Sequence, residues 1–267
     1  MRQSHKLGLT ALLWGALGTL ATLPSQAQPV PCGVVLLHGK WGMPQSPYLK
    51  TVVQKIEPVC QITLLEMPWS RLRLYDRPYT DALAQIQQAV TQLRQSGVSW
   101  VAVGGQSFGA NASLAYMAQM GDVDAVLPMA AGHVPESFIQ LPDIRRAVDE
   151  AQQKVDAGQG GAMVEMTDMN QGQRKPVKAP AAALWSYFNP QGWGNMALSA
   201  QSFRKPVPVF WAIGTLDPLY PVGSAEIYRQ LPVHPDSRYL VVRADHAHTP
   251  EVAADELVAW LRARTGH

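Results

Sequence analysis

Val98-Ser99-Trp100-Val101-Ala102-Val103-Gly104-Gly105-Gln106-Ser107-Phe108-Gly109-Ala110 decides the fold of this chain of 267 residues. Val98 to Val103 reads as a strand and Phe108 to Met120 as a helix, so the intervening turn must reverse direction within a few residues. A serine at the tip of such a turn takes strained φ and ψ. The positions two before and two after it must then lack side chains that would strike the neighbouring strand and helix. Gly105 and Gly109 meet that requirement. Ser107 stands at the helix N-terminus, where the dipole and the free amides favour developing negative charge. The structural alternative is a glycine-rich turn with no chemistry.

Outward from this turn the chain alternates strands and helices. Gly33 to Leu37 is a short, wholly apolar run ending in His38-Gly39, which suits a strand buried on both faces and hence a parallel sheet. Tyr48 to Glu57 carries Leu49, Val52, Val53 and Ile56 at helical spacing and stops at Pro58; Ile62 to Leu65 is the next strand. Thr80 caps a helix bearing Leu83, Ile86, Val90 and Leu93, and Gly97 ends it. Val123 to Met129, Pro206 to Ile213 and Arg238 to Val242 supply further strands. A last helix has Thr249 as cap, Pro250 at its first position, and Val252, Leu257, Val258 and Leu261 on its apolar face. The pattern specifies a doubly wound α/β sheet, mostly parallel, with right-handed crossovers.

Residues 131–205 break the alternation. No strand pattern is read there. The segment holds a charged helix-like stretch (Asp143 to Ala157), the flexible Gly158 to Gly161, four methionines from Met163 to Met196, and Trp185, Tyr187, Phe188 and Trp193. A structureless connection of that length is rare in a compact domain unless it serves as a lid or binding loop. It is expected as a helical lid over the sheet's carboxyl edge, the alternative being a surface excursion with its own apolar cluster. Trp185, Tyr187, Phe188 and Met196 point either to an apolar acyl or aromatic substrate group or to packing of the lid on the sheet.

A serine hydroxyl is a weak nucleophile and needs a base, itself oriented by an acid. In a strand-turn-helix setting these partners follow in the order acid, then histidine, on loops after later strands. Asp217 follows the strand ending at Ile213, and His246 follows the strand ending at Val242. His248 is the alternative base, disfavoured because it adjoins the expected cap Thr249. Asp245 reads as a solvated loop carboxylate. An oxyanion formed at Ser107 needs two N–H donors. Phe108 supplies one, and Lys40 or Trp41, in His38-Gly39-Lys40-Trp41-Gly42, the other. His38 is expected to brace that loop by hydrogen bonding, while His133 and His234 read as lid and surface residues.

Lys+Arg at 22 against Asp+Glu at 20 leaves no charge excess for nucleic acid or an anionic membrane. Arg2 and Lys6 precede an uncharged apolar run from Leu7 to Leu23, followed by Pro24 and Ser25-Gln26-Ala27. That is the layout of a signal peptide cut after Ala27, leaving residues 28–267 as one domain, secreted or periplasmic and without stable membrane insertion. A membrane anchor is the alternative, at the lower length limit for a span. In an oxidising compartment Cys32 and Cys60 read as a disulfide, with two buried free thiols as the alternative.

On the His38-Gly39 loop, the Ser107 turn, Asp217 and His246, in that order over nearly all of residues 28–267, the chain resembles the α/β-hydrolase superfamily. It looks like a shortened member, because the strands that usually precede the His-Gly strand are missing. The resemblance implies that the strands ending in Leu37 and Leu65 are neighbours, so a Cys32–Cys60 bridge would tie their amino ends. It also implies hydrolysis of a carboxylic ester or related acyl bond through an acyl-serine, with no metal or organic cofactor; the expected partner is a small-molecule acyl ester, apolar if the aromatics of residues 131–205 face it. Two other functions share these residues: an acyltransferase using the same triad, and a non-catalytic binding protein of the same fold.

Overall fold

The computed structural model describes residues 32–221 and 223–266. The leader expected over residues 1–27 lies outside the described residues. In chain order the elements are β1 (Cys32–Leu37), α1 (Lys50–Ile56), β2 (Gln61–Leu65), α2 (Tyr79–Gln95), β3 (Trp100–Gln106), α3 (Phe108–Gln119) and β4 (Ala125–Met129). Then come α4 (Pro135–Phe138), α5 (Pro142–Asp156), β5 (Met163–Asn170), β6 (Gln173–Pro180), α6 (Ala181–Phe188) and α7 (Met196–Gln201). β7 (Phe210–Gly214), α8 (Ser224–Tyr228), β8 (Arg238–Val242) and α9 (Thr249–Thr265) close the chain.

Six strands pair in parallel in the order β2-β1-β3-β4-β7-β8. The chain runs outward from β1 to β2, returns to β3 and then proceeds in the opposite direction. Ligand crevices in open α/β sheets form at the carboxyl edge where the order reverses in this way. The loops after Leu37 and Gln106 therefore face each other at one site. On one face of the sheet Val52, Ile56, Leu257 and Trp260 of α1 and α9 pack against Val34, Leu36 and Phe210. On the other, Ile86, Val90 and Leu114 of α2 and α3 pack against Val35 and Val103. Cys32 and Cys60 are disulfide-bonded with Cα atoms 4.7 Å apart, at the amino ends of β1 and β2 and away from the crevice. No helix among the described residues is long and apolar enough to cross a membrane.

Between β4 and β7 the structure departs from the sequence reading. Besides helices, with α5 nearly where it was expected, the segment contains an antiparallel hairpin of β5 and β6. Val164, Met166 and Asp168 alternate inward and pair with Ala179, Val177 and Lys175. The alternation is hard to read because the strands are built from Met, Glu, Asp, Lys and Pro, poor strand formers, and because one inward position is a carboxylate. Pro176 is tolerated in a two-stranded ribbon, whose outer edges need no ladder donor. Gln171 and Gly172 both have positive φ (47° and 78°), as a two-residue turn matching the strand twist requires.

Three local expectations are corrected. α2 begins at Tyr79 after Pro78 with no side-chain cap of its own; the Tyr79 N–H donates to Ser186 Oγ of α6 (2.9 Å), so Thr80 is not the cap. α9 is preceded by His248, while Thr249 Oγ1 donates back to the Asp245 carbonyl (2.7 Å). Val252 is 49% exposed, because the buried stripe of α9 runs through Pro250, Ala253, Ala254, Leu257 and Leu261.

Candidate active site

Ser107 occupies the turn between β3 and α3 with φ 58° and ψ −117°. A non-glycine residue in that region stores on the order of 1–3 kcal/mol of strain and persists only where its surroundings over-determine it. Here they do. The Ser107 N–H donates to the Met129 carbonyl (3.1 Å), and the Ser107 carbonyl accepts from the amides of Gly132 and Asn111 (3.1 Å each). A Cβ at Gly105 or Gly109 would drive into the carbonyl oxygen of Leu37 at the end of β1, which is why both positions are glycine.

The expected partners converge on this turn. Asp217, fully buried after β7, accepts a hydrogen bond from His246 Nδ1 at 2.7 Å. Its other oxygen accepts from the Leu219 amide (2.9 Å). A carboxylate only accepts, so the Nδ1 proton of His246 is directed at Asp217 and Nε2 is turned away from it. His248 is instead exposed and bonded to Asp245 (2.7 Å), which separates the two histidines that the sequence left open. Asp245 is the exposed loop carboxylate expected, held below its ordinary range by its bonds to the His248 amide and ring. Gly132 completes the arrangement: a Cβ there would lie 3.0 Å from Ser107 Oγ and 3.2 Å from His246 Cε1. Both side chains thus border one small space, into which a methyl group at this position would project.

The loop after β1 flanks Ser107, with Gly39 packed on Gln106 and Ser107. His38 Nδ1 donates to the Gly39 carbonyl (2.8 Å) and Nε2 accepts from the Met67 amide (3.1 Å), so the ring braces the loop as expected. Burial pushes the His38 pKa down. The Trp41 N–H is taken by the Trp69 carbonyl (2.8 Å), which removes Trp41 from the pair of oxyanion candidates and leaves Lys40. The Phe108 amide lies in the first turn of α3, where N–H groups have no intrahelical acceptor.

The Lys40 side chain makes a contact that the sequence did not announce. It runs inward to a buried ion pair with Asp168 (2.8 Å) and to the Met169 carbonyl (3.0 Å), with its Nζ over the Phe138 ring. Asp168 also accepts from Trp41 Nε1 (3.2 Å), Tyr75 OH (2.6 Å) and the Met169 amide (2.7 Å). One carboxylate therefore fastens the β5–β6 hairpin to the loop after β1. Burial lowers the Lys40 pKa, against the opposing pull of Asp168.

Phe108 is clamped between Trp69 (centroids 4.7 Å apart) and His133 (3.9 Å, planes 11° apart). His133, expected on the lid, is buried; its Nε2 donates to the Tyr187 carbonyl (2.7 Å), and burial followed by the Lys40 charge holds its pKa well below the ordinary value. Asn111 Nδ2 donates to the carbonyls of His133 and Gly194, and its oxygen accepts from Tyr79 OH (2.6 Å). Tyr187 and Phe188 are fully buried in this cluster, so they pack the inserted segment rather than face a ligand. His234 is at the surface beside Asp236. Sequence reasoning missed Gly132, Asp168 and the Phe108 clamp.

A cavity of about 370 Å³ opens beside Ser107 and His246, walled by Val134, Phe138, Met169 and Leu219 and roofed by the hairpin turn. A larger one, about 540 Å³, lies between α5 and the hairpin, remote from Ser107. The smaller cavity is the candidate site because it holds the converging polar groups.

No protein-family model matches the chain, and no curated protein matches it in sequence. Its structure is similar to that of ferulic acid-bound Est1E from Butyrivibrio proteoclasticus (TM-score 0.65, 13% identity, 92% of this chain and 94% of that one). It is also similar to a monoacylglycerol lipase from Paleococcus ferrophilus (TM-score 0.64, 16% identity, 86% and 94%). A third likeness is to an extracellular alpha/beta-hydrolase from a Paenibacillus species (TM-score 0.54, 14% identity, 87% and 98%).

Proposed function

We propose, from the α/β-hydrolase fold that this chain has, that it is a secreted serine hydrolase of carboxylic esters. Ser107 Oγ attacks the ester carbonyl while His246 Nε2 takes its proton. Asp217, accepting from Nδ1, orients the ring and favours the imidazolium. The oxyanion is met by the amides of Phe108 and Lys40. His246 returns the proton to the alcohol oxygen as the C–O bond breaks. Water, deprotonated by the same histidine, then releases the acid from the acyl-serine.

The observation that carries this reading is the pairing of a strained, cavity-facing Ser107 with a His246–Asp217 hydrogen bond in the same apolar cavity. Est1E binds ferulic acid and the Paleococcus protein is a monoacylglycerol lipase, which favours ester substrates over other acyl compounds. Residues 131–205 act as the lid, because their hairpin turn borders both Ser107 and the cavity. Residues 1–27 serve as a signal peptide, and the Cys32–Cys60 disulfide accords with an oxidising compartment. A fluorophosphonate probe is expected to label Ser107 in the folded protein and to abolish hydrolysis of p-nitrophenyl esters. Absence of labelling together with absence of turnover would refute the assignment.

A further inference from the structure

Ser107 borders a second cavity, and its chemistry differs from the first. It measures about 290 Å³ and lies along Gly39–Gly42, with the hairpin turn again forming one wall. Gln106, Asn170, Gln171 and Gln173 place amides around it, and Ser46 and Tyr48 place hydroxyls. No aspartate or glutamate lines it, and the ammonium of its one lysine is held by Asp168 and the Met169 carbonyl. Two of the amides are partly used: Gln106 Nε2 donates to the His246 carbonyl and Asn170 Nδ2 to the Lys40 carbonyl. The side chains of Gln171, Gln173, Ser46 and Tyr48 make no hydrogen bond among the described residues.

Neutral groups that both donate and accept match ligand groups that do the same. Hydroxyls fit. Among the residues lining this cavity, a carboxylate or an ammonium finds no unpaired opposite charge. Trp41 and Tyr48 supply the aromatic part of the lining, with Lys175 Nζ 5.8 Å from the centre of the Trp41 ring. The hairpin turn separates the two cavities, and Asn170 and Gln171 border both.

We infer that the substrate is an ester joining an apolar group to a neutral, hydroxyl-rich group, a polyol or sugar. The apolar part occupies the cavity walled by Phe138 and Leu219, and the hydroxylated part occupies the amide-lined one. This rests on Ser107 being the nucleophile, as proposed above.

The test compares two pairs of compounds: the glycerol monoester against the methyl ester of one medium-chain acid, and the butyl ester of gluconic acid against that of hexanoic acid. The wild-type protein is expected to favour the hydroxylated member of at least one pair by about tenfold or more in kcat/KM. Gln173→Leu and Tyr48→Phe should each shrink that preference by about 3- to 10-fold, the size of one lost hydrogen bond. Turnover of the methyl ester with preferences under about twofold in both pairs would overturn the inference while leaving the serine mechanism standing. A preference that neither variant moves would overturn it as well. If no ester is turned over and Ser107 is not labelled, the mechanism fails instead. Calorimetric binding of the uncleaved glycerol and methyl esters then decides the cavity: tighter binding of the glycerol ester, lost in Gln173→Leu, upholds it, and equal binding overturns it.

Discussion

Replacing Asp168 by Asn tests whether one carboxylate holds the hairpin to the loop after β1. The side chain is fully buried and accepts from Lys40 Nζ, Trp41 Nε1, Tyr75 OH and the Met169 amide. Asparagine keeps the shape but offers a single acceptor oxygen and turns an NH2 group toward the remaining donors. The Lys40 ammonium is left buried with its counter-charge gone. Breaking a buried pair at one end costs about 3–5 kcal/mol, against a total stability of roughly 5–15 kcal/mol for a domain. For a chain of this size that lowers Tm by roughly 6–20 °C. Adding Lys40→Met removes the stranded charge, so the double variant should recover about 1–3 kcal/mol relative to the sum of the single changes. Urea unfolding of the four proteins at pH 7 measures the cycle. A cost under about 1 kcal/mol for Asp168→Asn, or strict additivity in the double variant, would refute the account.

Gly132→Ala should fold normally and lose at least about 100-fold in kcat, because its methyl group would fill the space between Ser107 Oγ and His246; a near-normal rate would show that the space is not used. Ser107→Gly and Ser107→Ala should both be inactive, with the glycine variant more stable by about 1 kcal/mol, since only glycine accepts φ 58° without strain. Removing both cysteines opens a link across 28 residues and should cost about 3–4 kcal/mol while leaving kcat unchanged, readable by paired calorimetry and ester hydrolysis. His133 and His38 both titrate below their ordinary value of 6.5 in the folded state. Below that pH the unfolded chain binds more protons than the folded one, so stability falls with acidification, by on the order of 1 kcal/mol per pH unit for each histidine. Equilibrium unfolding between pH 7.5 and 5 checks the slope, and a flat profile would count against buried, neutral rings.

The legible parts of this molecule are those where a local rule forces the residue. A strand-to-helix turn at Ser107 leaves glycine no substitute at two flanking positions, and the arrival of Asp217 and His246 beside it follows from strand ends in a parallel topology. What escaped has a common physical cause. Asp168 sits at an inward position of a strand whose alternation is visible only once its carboxylate is known to be neutralised by Lys40, 128 residues away. Gly132 follows a strand end, but its importance depends on where His246 arrives. The Phe108 clamp joins aromatic rings from three separate loops and helices. Tyr187 and Phe188 looked equally suited to ligand or core, and only packing decided for the core. Helix starts failed where tertiary contact overrode local capping, as where Ser186 takes the Tyr79 amide.

The Leu37 carbonyl against which Gly105 and Gly109 pack has a further bearing, on how such a protein can change over time. It sets the spacing between the Ser107 turn and the loop after β1 by backbone touching backbone. No side chain intervenes there for substitution to adjust. The position of Ser107 relative to that loop is thereby insulated from drift elsewhere in the chain. At the hairpin turn of residues 170–173, which borders the same serine, a Cβ at Gly172 would by contrast meet nothing within 4 Å. For the hydrolase proposed above, selection for a new ester can act on that turn while the Ser107 turn stays fixed.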